Sequence, residues 1–92
     1  MQIVQTSKMI LDNLYATLME DEKATTLVLN INMTTYAEKL RISKEQLNLC
    51  LWYLNEAGYV KCRYPEYNGD ENASKEIILT PASINLVEKM SL

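Results

Sequence analysis

Ninety-two residues, 48% hydrophobic and 23% charged, suit one globular domain around one core, and they exclude a disordered chain or a second domain. Nine Lys and Arg against twelve Asp and Glu leave a net charge of −3, so contact with nucleic acid would need a local basic patch. With no histidine, two cysteines and two glycines, the chain cannot build the usual zinc site, a Ser-His-Asp or Cys-His nucleophile pair, or a Gly-rich phosphate loop.

The N-terminal MQIVQTSKMILDNL has no uninterrupted apolar run, and no segment approaches the roughly 18 apolar residues of a membrane span. A cytoplasmic protein without membrane contact is expected. A first helix is expected over 7–19, with Ser7 as N-cap and Leu11, Leu14, Tyr15 and Leu18 as its buried stripe. Glu20, Asp21 and Glu22 oppose the helix dipole at that end and read as the exit into a solvated loop, or else as a patch for a basic partner.

Thr25 to Asn32 is rich in β-branched residues and alternates Leu27, Leu29 and Ile31 against Val28 and Asn30, which predicts a short strand. Thr35 with Glu38 offers a capping box, or Thr34 is the cap, for a short helix through Tyr36, Ala37 and Leu40 to about Arg41. Ser43 and Gln46 make a second box, and Leu47, Cys50, Leu51 and Leu54 then recur at helical spacing until Gly58 supplies a left-handed stop. Val60, Cys62 and Tyr64 alternate with Lys61 and Arg63 as a half-buried strand.

Pro65 to Lys75 is a polar stretch around the turn signal Asn68-Gly69-Asp70 and reads as the wing, its tip carrying Glu66, Asp70 and Glu71 against a lone Lys75, and Glu76 to Leu79 returns as a strand. Thr80-Pro81 opens a last helix over 81–92, with Ile84, Val87 and Met90 or Ser91 on successive turns. The two cysteines, in helix and strand, read as buried thiols of a reducing compartment, with a Cys50–Cys62 disulfide as the alternative. Phenylalanine is absent, so Leu, Ile, Met, six tyrosines and Trp52 must fill the core.

Taken together, these elements predict an α+β winged helix-turn-helix in the order α1-β1-α2-α3-β2-wing-β3-α4. Ser-x-Glu-Gln-Leu at the third helix, Asn-Glu-Ala-Gly-Tyr-Val at its exit, and Ile-Leu-Thr-Pro-Ala-x-Ile-Asn-Leu-Val-Glu near the end resemble the YjcQ-type family of small winged-helix proteins of phages and mobile elements. More distantly the chain is similar to MarR- and PadR-like regulators, although Ala82-Ser83 stands near where those families place a Gly. The resemblance spans nearly the whole chain, rests on capping and core positions, and implies a winged-helix fold and a link to transcription regulation.

The two remaining carboxylate pairs, in Glu20/Asp21/Glu22 and Asp70/Glu71, fall in expected exposed loops with no apolar pocket to perturb them, so no enzyme is expected. No cofactor or metal is expected either. A third helix that entered the major groove would show Arg, Lys, Asn, Gln or Ser on its outer face. At about 100° per residue that face instead holds Glu45, Leu49, Trp52 and Glu56, flanked by Asn48 and Tyr53. Trp52 reads either as satellite core or, with Leu49 and Tyr53, as the centre of a protein interface.

Basic residues gather elsewhere, as Lys39, Arg41 and Lys44 around the turn and Lys61 and Arg63 on the strand; with Asn48 and Lys75 these are the possible phosphate contacts, or else ordinary solvated surface. Two functions follow from the residues together with what the resemblance implies. One is a protein-interaction module that uses the outer helix face, either as a homodimer or as a phage-type inhibitor of a host nucleic-acid-binding protein. The other is a DNA-binding transcriptional regulator that uses the third helix and the basic strip.

Overall fold

A computed structural model describes residues 2–63 and 74–89. They form α1 (Ile3–Glu20), β1 (Val28–Asn32), α2 (Met33–Leu40), α3 (Lys44–Glu56), β2 (Val60–Arg63), β3 (Ser74–Leu79) and α4 (Pro81–Glu88), an α+β arrangement in the expected chain order. The three strands make one antiparallel sheet ordered β1-β3-β2. The expected wing turn, with Asn68-Gly69-Asp70, Glu66 and Glu71, lies outside the described residues, as do Tyr64, Met90 and Ser91.

Central β3 pairs Ile77 with both Leu29 and Cys62, and Leu79 with Val60. Strand alternation therefore puts Leu29, Ile31, Val60, Ile77 and Leu79 on one face, where they are buried under α1 and α3. The helices add Ile10, Leu11, Leu14, Leu47, Leu51 and Leu54 to the same core.

Several local expectations need correction. Ser7 is not an N-cap: α1 starts at Ile3 after Gln2, and Ser7 sits inside the helix, buried on the stripe that continues through Ile10, Leu11, Leu14 and Leu18. Its hydroxyl resembles a boundary in the sequence, but the apolar period runs through it; Oγ has no hydrogen-bond partner among the described residues. Tyr15 is only half-buried, because its hydroxyl reaches out to donate to the Glu88 carboxylate of α4.

Neither Thr34 nor Thr35 caps α2. Asn32 does, its Oδ1 accepting from the Thr35 N–H at 3.0 Å, so the last residue of β1 is also the first cap of the helix. The strands are shifted as well. β1 begins at Val28 because its partner runs out: Leu79 N–H reaches Leu27 O at 2.8 Å, after which Thr80 turns into α4 and leaves Thr25 and Thr26 without a strand to pair with. β3 is described from Ser74, which pairs with Asn32 at the end of β1. Among the described residues α4 runs Pro81–Glu88, and the expected continuation over 90–92 lies outside them. Its start is as expected, with Pro81 at the first turn and Thr80 accepting from the Ser83 N–H.

The two thiols are free, Cys50 buried and Cys62 half-buried. No helix among the described residues is long and apolar enough to cross a membrane.

Candidate interaction face on the third helix

α3 is held at both ends by the residues that predicted it. Ser43 Oγ accepts from Gln46 N–H at 3.0 Å while Gln46 Oε1 accepts from Ser43 N–H at 3.1 Å, which satisfies two of the orphan amides of the first turn. At the far end Gly58 adopts φ 84°, Gly58 N–H donates to Asn55 O and Tyr59 N–H donates to Leu54 O, the two bonds of a Schellman stop. The chain then returns as β2 beneath the same helix.

This clamped register decides which side chains face out. Leu47, Cys50, Leu51 and Leu54 are fully buried. On the flank, Asn55 Oδ1 accepts from the Cys62 N–H of β2 at 3.1 Å, and Asn48 Oδ1 accepts from Lys75 Nζ at 2.7 Å. Two asparagines seven residues apart, two turns of one helix edge, thus tie α3 to β2 and β3.

Opposite the core, Glu45, Leu49, Trp52 and Glu56 follow one another at spacings of four, three and four residues, so they form a single line down the helix. All four are exposed, Trp52 at 57% and Leu49 at 43%. Neither Glu45 nor Glu56 makes an ion pair among the described residues. Val4 and Met19 of α1 are as exposed as Trp52, but single apolar side chains on a surface are ordinary. An adjacent leucine and tryptophan bounded by two carboxylates are a patch. Tyr53 does not join it, since it is half-buried against the core.

The basic candidates are not gathered into one strip. Lys39 and Arg41 are exposed at the corner between α2 and α3, and Lys44 is half-buried at the first turn of α3. Lys61 is exposed on β2 but alternates with core-facing Val60 and Cys62, which puts it on the sheet face turned away from α3. Arg63 is the last residue of β2 and pairs in register with Glu76 of β3. Lys75 is not at the tip of a wing: it lies in β3 on the core-facing register beside Cys62 and bonds Asn48 of α3. Burial lowers the Lys75 pKa, which the nearby Cys62 thiolate partly offsets, and burial raises the Cys62 thiol against the opposing charge of Lys75.

Arg41 carries a feature that composition could not reveal. It takes φ 60° and ψ 41°, and it ends α2 with the same bond pattern as the Gly58 turn: Arg41 N–H donates to Glu38 O and Ile42 N–H to Ala37 O, both at 3.1 Å. The signal available in the sequence was negative, a helix-helix junction with no glycine or asparagine to take the left-handed position.

Other chemistry finds little footing. Among the described residues no three His, Cys, Asp or Glu side chains come together to hold a metal ion. An open hollow of about 260 Å³ lies between β1, α2 and Thr17 of α1; Lys39 and Tyr36 line it with no carboxylate or thiol beside them. Compared with family models, curated proteins and solved structures, the chain matches none of the three.

Proposed function

We propose that this chain is a non-enzymatic winged-helix binding module that recognises a protein through the outer face of α3. The element order, the antiparallel sheet with β3 between β1 and β2, and the pairing of a short α2 with a longer α3 support the winged-helix reading. The observation that carries the functional reading is the line Glu45-Leu49-Trp52-Glu56: two large apolar side chains in solvent are a poor match to a phosphate-lined groove and a good match to the desolvated centre of a protein contact. The two carboxylates further repel a polyanion.

A second reading, a DNA-binding regulator, draws on Lys39 and Arg41 exposed at the α2–α3 corner. The two are separated by titrating the purified protein against a random-sequence DNA duplex by fluorescence anisotropy, at low salt and near physiological salt. The protein-binding reading expects no binding at either. Micromolar binding at low salt that collapses on adding salt would overturn it in favour of the regulator.

A further inference from the structure

We infer that the partner of the α3 face is a surface foreign to this chain, with an apolar socket flanked by two cationic groups about 16 Å apart, and not a second copy of the chain; this rests on the reading of α3 as the binding helix. The spacing comes from Glu45 and Glu56, eleven residues apart on one straight helix at about 1.5 Å per residue, with Leu49 and Trp52 between them.

A second copy fails on charge. If two α3 helices met antiparallel along this line, a two-fold axis between Leu49 and Trp52 would bring each Glu45 against the other copy's Glu56. If they met parallel, Glu45 would face Glu45 and Glu56 would face Glu56. Both arrangements bury like charges at each end of the contact, and the line itself holds no cation. Lys44 beside it is half-buried and already engaged, and Arg41 belongs to the turn ahead of the helix. The carboxylates therefore act in two directions: they discriminate against self-association and they select a partner with basic groups at the matching separation.

The test uses two synthetic helical peptides that share a leucine seam, one ending the seam with Arg at an eleven-residue spacing and the other with Glu. Trp52 is the single tryptophan of the chain, so its emission reports burial of the patch directly. The Arg peptide should bind at least about tenfold more tightly than the Glu peptide and shift Trp52 emission to the blue, and high salt should close that gap. Glu45→Gln with Glu56→Gln should reduce the ratio to near one and, with the repulsion removed, should self-associate more strongly than the natural chain in sedimentation.

If the natural chain dimerises with Trp52 buried, the foreign-partner inference is overturned while α3 remains an interface. Equal binding of the two peptides overturns the cationic requirement and likewise leaves the face intact. No response of Trp52 to either peptide, together with a monomer in both charge states, overturns the α3 reading and this inference with it.

Discussion

On one side of α3, Leu47, Cys50, Leu51 and Leu54 are each no more than 2% exposed; about half a turn round, Trp52 is 57% and Leu49 43% exposed. The two sides share one backbone, one capping box and one glycine stop, so local conformation cannot account for the difference. What separates them is what lies opposite: α1 and the sheet on the inner side, solvent on the outer. Apolar character alone therefore does not assign a residue to the core. A large apolar side chain on the unpartnered side contributes little to the packed core, which leaves it available for the contact proposed above.

That contrast can be broken or sharpened by substitution. The largest effect is expected from Leu51→Ala, which empties a fully buried position and should cost about 3 kcal/mol in chemical unfolding; a loss well under half of that would mean the inner face is loosely packed. Gly58→Ala should cost about 1 kcal/mol. Nothing lies within 4 Å of the added Cβ, so the whole cost is the left-handed φ of 84°, and urea unfolding at unchanged m-value would show it as purely conformational.

Asn55→Ala, on the flank between the two faces, should cost about 1 kcal/mol by releasing the Cys62 N–H, and amide exchange at Cys62 should accelerate. Arg41→Gly should act in the opposite direction, stabilising by about 0.5 kcal/mol, because glycine takes φ 60° without a Cβ penalty. The smallest effect on stability belongs to Trp52→Ala, within about 0.5 kcal/mol, while binding by the α3 face is lost. A Trp52→Ala protein that melts like Leu51→Ala would place Trp52 in the core and remove the difference between the faces.

The contrast between the two turns around α3 shows how far local reading reaches. Both end a helix with the same pair of hydrogen bonds and a positive φ. Gly58 was legible because only glycine takes that conformation without strain, whereas Arg41 was not, because nothing in an arginine's neighbours announces a left-handed backbone. Likewise, the outer line of α3 could be placed by counting from Leu47, while whether Trp52 would be covered depended on what other elements packed there. Asn48 and Lys75 read separately as phosphate contacts; the sheet register brings them together, and they bond each other.

The sequence by itself determined the features whose partners lie within a few residues: the Ser43–Gln46 box, the Thr80-Pro81 start, the Gly58 stop, the inner stripe of α3 and the order of elements. Each is a short-range interaction, complete in one turn of chain, so residue type and spacing suffice. Tertiary structure alone decided the rest: that Ser7 is buried in α1, that β1 starts only where β3 can pair with it, that Asn55 holds β2, and that Lys75 turns in toward α3 while Lys61 turns away. These outcomes depend on groups brought together from distant parts of the chain, and the burial that fixes them is a property of the packed whole.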